Sequence, residues 1–202
     1  MSKPVVEFWY EFGSPYSYLA AERIEGVARV MGVGVRWRPF LLGPIFAAQG
    51  WETSPFNLYP LKGANMWRDI ERTAARFHVN WNRPSTLPRN GLLAARVALV
   101  GAEEGWIANF SRSVFRTNFI EDRDIGEVEV IASVIDRLGL PAGVIERANA
   151  PDNKERLRAQ TDEASALGIY GAPSFTAGKE LFWGHDRMEQ AFQWAKEPWM
   201  QS

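Results

Sequence analysis

In "FGSPYSYLA" (12–20), Ser14 and Pro15 stand between an apolar run and a helical pattern, in a chain with no cysteine and two histidines. His78 and His185 cannot build a zinc site by themselves, and without cysteine the usual structural zinc sites are excluded. No G-x-S-x-G elbow surrounds Ser14, so it lacks the setting of a hydrolase nucleophile. A helix N-terminus offers different chemistry. Its unpaired amides and the positive end of the helix dipole stabilise an anion, and a cysteine placed there ionises near neutral pH. Serine does not ionise, but its hydroxyl can donate to a thiolate brought by another molecule. Lowering a borrowed thiol by two units takes about 2.7 kcal/mol, within reach of one charge-assisted hydrogen bond plus the dipole. Ser-Pro alone favours a simple helix cap, because Ser before Pro is common at helix starts.

The surrounding pattern says what must position this serine. Val5 to Tyr10 reads as a buried first strand. Ser14 is the expected N-cap and Pro15 the first helical residue; Leu19, Ile24, Val27 and Met31 form an apolar face, and Gly32 ends the helix. "VGVRWRPF" (33–40) alternates as a second strand, completing a βαβ unit. From 43 onward, "GPIFAAQGWETSPFNLYPLKGAN" reads as a long irregular stretch, a kind of segment that is uncommon and often functional. Helical patterns follow at Met66/Ile70/Phe77, Leu92/Ala95/Leu99, Ile107/Phe110/Val114 and Ile131/Val134/Leu138. A short helix is predicted from Pro141 and another from 152 to Leu167. "SFTA" and "ELFW" flank Gly178-Lys179 as a hairpin, and Asp186 with Glu189 reads as a capping box opening a last helix.

The order βαβ, helices, ββα predicts an α/β fold: a thioredoxin-like core (1–42 and 168–202) interrupted by a helical insertion domain (43–167). In that fold a cis-proline before the third strand faces the first helix. Pro173 in "YGAPSF" (170–175) holds that place, and Ala172 would offer its N–H and C=O to an extended ligand. An ordinary loop proline is the other reading.

Composition narrows the function classes. With 46% hydrophobic and 23% charged residues, the chain is that of a globular protein. A net charge of −1 leaves no electrostatic footprint for nucleic acid or an anionic membrane. No signal peptide and no apolar run of membrane-spanning length is read, so a cytoplasmic protein is expected.

Taken together, "FWYEFGSPYSYLA", "WRPFLLGPIF", "SPFNLYPLKGANMWRDIER", "GAPSF" and "FWGHDRM" resemble the 2-hydroxychromene-2-carboxylate isomerase family, related to the kappa-class glutathione transferases in the DsbA-like branch of the thioredoxin fold. The resemblance implies glutathione as cofactor, with Ser14 contacting its sulfur and Ala172, beside Pro173, pairing with its backbone. It implies Trp183, Gly184, His185, Asp186 and Arg187 at the γ-glutamyl end, where a carboxylate suits an ammonium and a helix N-terminus suits a carboxylate. For His185 the backbone alone is a competing role, its side chain pointing to solvent. Asn57 and Lys62 are implied to line the site, Lys62 beside a carboxylate of glutathione or substrate. Phe46, Asn57, Leu58 and Arg83 are implied to meet a small-molecule aromatic acid substrate. Phe12, Tyr16, Phe46 and Trp51 would wall its apolar slot, although aromatics are more often core; Arg83 and Arg89 would form the opposite rim. The implied reaction is isomerisation by reversible thiolate addition. A kappa-class-like transferase or peroxidase is the alternative, and a redox-inactive binding protein a third. Relatives imply a homodimer, with "QWAKEPWMQS" a candidate interface.

Overall fold

The computed structural model describes residues 3–52 and 54–197. Strand β1 (Val5–Tyr10) leads into helix α1 (Pro15–Met31) and strand β2 (Gly34–Pro39). β1 pairs with β2 in parallel, Phe8 opposite Trp37. The return after the helices supplies β3 (Ser174–Ala177) and β4 (Glu180–Trp183), both antiparallel to their neighbours, in the sheet order β2-β1-β3-β4. The thioredoxin-like βαβ and ββα halves are therefore joined through β1 and β3, where Phe8 faces Phe175 and Trp9 faces Ser174.

β1 is central, and its sequence shows why. Val6, Phe8 and Tyr10 are fully buried in the main core, while Trp9 is fully buried in a second cluster with Phe40, Ile45, Ala164 and Ile169. A strand covered on both faces is mostly apolar, as parallel pairing with a helical crossover requires; its one charged residue, Glu7, pairs with Arg36. Phe8 stacks between Tyr10 and Phe175, and Trp37 meets it edge-on. Helix α1 lays Leu19, Ile24 and Ala28 against the same core. Its ends follow the expected rules: Ser14 caps the N-terminus, Pro15 opens the first turn, and Gly32 adopts the left-handed conformation at φ 69°.

Between the halves lie α2 (Leu42–Ala48), α3 (Pro55–Leu58), α4 (Pro60–Phe77), α5 (Leu92–Glu104), α6 (Ile107–Phe119), α7 (Val128–Arg137), α8 (Val144–Ala148) and α9 (Pro151–Ala166). Apolar residues of α4 to α9 join the sheet's main cluster, whereas Ile45 of α2 lies in the second, so Phe110, Phe115 and Phe119 share one core with Phe8 and Tyr10. The stretch expected to be irregular from 43 is largely helical. Its prolines misled because they open helices instead of breaking them: Pro55 and Pro60 are first residues and Pro44 lies in a first turn, where no N–H is needed. The short helix expected from Pro141 begins at Val144, after Gly143 at φ 75°.

The expected capping box is also absent. A 3₁₀ turn at His185–Arg187 precedes α10 (Met188–Lys196), whose start carries no side-chain cap. Glu189, expected to reach back, instead pairs with Arg23 of α1.

Candidate active site

Ser14 sits where the two halves of the sheet meet. Its hydroxyl donates to the Ala172 carbonyl at 2.9 Å and accepts the Ser17 amide at 3.1 Å. The Ala172–Pro173 peptide is cis. Ser14 N–H donates to Glu11 O, and Tyr18 N–H to Ser14 O. These bonds account for every amide of the first turn but that of Tyr16, since Pro15 has none. Ser14 itself is 9% exposed, so the hydroxyl lies at the rim of the buried region. The sequence motifs around Ser14 and Pro173 thus meet through a direct hydrogen bond.

Beside this junction, Tyr16 links three elements. Its hydroxyl donates to Asp69 Oδ2 of α4 at 2.9 Å, and its ring stacks on His185 at 5.2 Å with planes 5° apart. Burial raises the Tyr16 pKa, and the Asp69 hydrogen bond and charge add to that. His185 therefore does not point to solvent. Burial lowers its pKa, with Asp186 opposing, so the ring is neutral at pH 7. Its Nδ1 is buried and meets no partner among the described residues.

Gly184, at φ 104° and ψ 146°, holds the adjoining turn. A Cβ there would come within 2.5 Å of Asp186 Oδ1, so only glycine allows this carboxylate to fold back over the chain. Asp186 and Arg187 are exposed. Trp183 is 50% exposed and leans on Tyr170 at 5.0 Å between ring centroids.

The residues implied for the substrate side are more dispersed. Phe46 packs on Trp51 at 5.7 Å. Asn57 and Leu58 are exposed on α3, and Lys62 is exposed on α4 with Nζ 4.7 Å from the Tyr59 ring centre. Arg83 lies over Trp67 at 4.5 Å, and both line a cavity of about 440 Å³ with Phe56, Arg68 and Glu71. Ser14 does not line this cavity; Phe56, 6.5 Å from the Tyr16 ring, is the link between them.

Two expected rim or wall residues are structural instead. Arg89 is 6% exposed and spends its guanidinium on Asn118, Asp122, Ser85 and the Arg123 carbonyl. Asn118 in turn donates to Phe12 O, so this network supports the Ser14 turn from beneath. Phe12 is 1% exposed and packs against Tyr10 and Phe115. Asp69 and Glu11, beside the site, were not anticipated. Asp69 carried no signal, but Glu11 did, as an acidic residue between an apolar strand and Gly-Ser-Pro.

The DSBA-like thioredoxin domain matches residues 5–193, nearly the whole described chain. The chain belongs to this DsbA-like family. Its DsbA-like fold is also that of a 2-hydroxychromene-2-carboxylate isomerase structure, at TM-score 0.85 and 23% identity over 98% of this chain and 97% of that one. In sequence it is 27% identical to the 2-hydroxychromene-2-carboxylate isomerase of Sphingobium xenophagum, over 91% of this chain and 94% of the relative. It is 26% identical to glutathione S-transferase kappa 1 of Homo sapiens, over 96% and 92%. These two sequence relatives are thus named as an isomerase and a kappa-class transferase. Among the described residues no helix is long and apolar enough to cross a membrane, and no cluster of His, Asp and Glu could hold a metal ion.

Proposed function

We propose that the protein is a glutathione-dependent isomerase of 2-hydroxychromene-2-carboxylate or a similar aromatic acid, cytoplasmic and homodimeric. The observation that carries this reading is the 2.9 Å bond from the Ser14 hydroxyl to the Ala172 carbonyl, which brings the helix N-terminus and the cis-proline strand together in a chain without a thiol. Glutathione fits this junction by the chemistry of its donors. The Ala172 carbonyl can accept a peptide N–H in place of the serine hydroxyl, and the hydroxyl is then released toward sulfur. The orphaned His185 Nδ1 and the exposed Asp186 carboxylate offer further polar partners nearby.

When bound, glutathione supplies the nucleophilic thiolate that the polypeptide lacks. The chain's own work is orientation and electrostatics. Ser14 donates to the sulfur, and the Tyr16 amide and the α1 dipole favour its ionised form. Ala172 and Pro173 hold the peptide backbone. Asp186 faces the ammonium of the γ-glutamyl end, with Trp183, Gly184, His185 and Arg187 shaping that end of the site. Lys62 and Asn57, on the helical segment 43–167, close the other end. Phe46, Leu58 and Arg83 orient the aromatic acid, Arg83 through its carboxylate.

A kappa-class-like transferase would use the same thiol site, a reading favoured by the similarity to the human relative along 96% of the chain. Calorimetry with glutathione, then absorbance assays on chromene carboxylate, a halogenated aromatic and a hydroperoxide, separates the two. Isomerisation of the chromene acid at a rate well above the others is expected. Glutathione binding with conjugation or peroxide reduction alone would favour the transferase, and no binding would remove both.

A further inference from the structure

Glu11 occupies an unusual place for an acid. It closes β1 and begins the turn that ends at Ser14, whose N–H donates to the Glu11 carbonyl at 3.1 Å. The side chain folds inside this turn. Its Oε2 accepts the Gly13 N–H at 3.0 Å. A Cβ on Gly13 would come within 3.0 Å of Oε2, and one on Gly91 within 3.0 Å of Oε1, so each oxygen lies close against a glycine. The enclosing segment is completed by Pro88 and the Arg89 backbone.

No cation answers this carboxyl among the described residues. Arg89, on the covering segment, turns its guanidinium to Asn118 and Asp122. Glu7, on β1, points to Arg36 and Thr176. The first turn of α1 carries no acidic residue, and Arg116 of α6 is engaged by Glu22. Asp124, beyond Gly91, accepts the Gly126 amide. A half-buried carboxyl without a counter-charge holds its proton more tightly, and desolvation pushes the Glu11 pKa up to about 7 against the lowering effect of the Gly13 amide.

We propose that Glu11 is a titrating partner of the thiol held at Ser14, a positioning residue that keeps one negative charge, not two, at this end of α1. This rests on the reading of Ser14 as a thiol-holding residue. Glu11 and Ser14 are the end residues of a single β-turn, whose end Cα atoms lie within about 7 Å of each other. Two unit charges about 7–10 Å apart in a partly buried site oppose each other by on the order of one pKa unit. When Glu11 is neutral, the thiolate has the helix end to itself. As Glu11 ionises, the thiol recovers its proton more readily, and by linkage the thiolate raises the Glu11 pKa by the same amount.

The test follows the Glu11 carboxyl directly. The protein carrying glutamate labelled with carbon-13 at the side-chain carboxyl is titrated by NMR alone, with saturating glutathione, and with S-methylglutathione, which has no ionisable sulfur. The resonance lost in Glu11→Gln belongs to Glu11. Its midpoint is expected near neutrality in the free protein and to rise by about one unit with glutathione but not with S-methylglutathione. Equal midpoints in the three titrations would overturn the proposal. Calorimetry on the same samples separates the causes: glutathione bound without the rise removes only the coupling to Glu11, whereas no binding also removes the reading of Ser14. Should Glu11→Gln fail to fold, Glu11→Asp, which also removes the labelled glutamate, assigns the resonance, and the contrast between the two peptides on the native chain decides.

Discussion

Ser14 and Glu11 lie at the two ends of one turn and do opposite things with charge. The Ser14 hydroxyl is a donor held ready by the Ala172 carbonyl. Replacing Ser14 by Ala removes both the donor we propose for the thiol and the N-cap acceptor for Ser17 N–H. The thiol pKa of bound glutathione, read by thiolate absorbance, should rise by roughly one to two units. Stability in urea should fall by about 1 kcal/mol from the lost cap. Glu11 acts through pH. A carboxyl whose pKa is raised on folding adds stability below its unfolded value, near 4.5, and that contribution is lost as pH climbs through about 7. Wild type should therefore lose roughly 2–3 kcal/mol between pH 4.5 and 8 relative to Glu11→Gln, measured by denaturant unfolding across that range. A flat difference would mean that the carboxyl is solvated in the native state.

Helices and turns decide how these side chains are presented. α1 and α4 are tied at the site by the Tyr16–Asp69 hydrogen bond. Tyr16→Phe keeps the ring on His185 but leaves Asp69 without this donor; a loss of about 1 kcal/mol and a weaker grip on glutathione are expected, by thermal unfolding and calorimetry. Gly184→Ala should cost more, since a Cβ would collide with Asp186 Oδ1 on a backbone at φ 104°. A loss of about 1–3 kcal/mol with several-fold weaker glutathione binding is the expected outcome. At this scale the sequence was legible wherever a local rule acted alone. Ser14, Pro15 and Gly32 mark the ends of α1, and Gly178-Lys179 the hairpin. It misled wherever a residue has two uses. Pro55 and Pro60 signal breaks in isolation and helix starts in context. Glu189 fits a capping box, but the cation of Arg23 across the fold competes successfully for its carboxylate.

Across the whole molecule, the order of elements was enough to read a thioredoxin-like core, because strand and helix periods differ and the two halves bracket the helices. The meeting of Ser14 with Ala172 was readable for the same reason: sheet topology places β3 beside β1. Contacts between the helical segment and the core were not readable. Nothing local marks Asp69 as the partner of Tyr16, or Arg89 as the buried anchor of Asn118 instead of a rim residue. Those depend on how helices far apart in sequence pack, which periodicity leaves open. The central claim is that the protein borrows its thiol. Isothermal titration of glutathione into wild type and Ser14→Ala, with thiolate absorbance followed on the same mixtures, tests it most directly. The account expects wild type to bind glutathione with its thiol ionised near neutral pH, and Ser14→Ala to bind it with the thiol protonated. Absence of binding to wild type, or identical thiol ionisation in the two proteins, would contradict it.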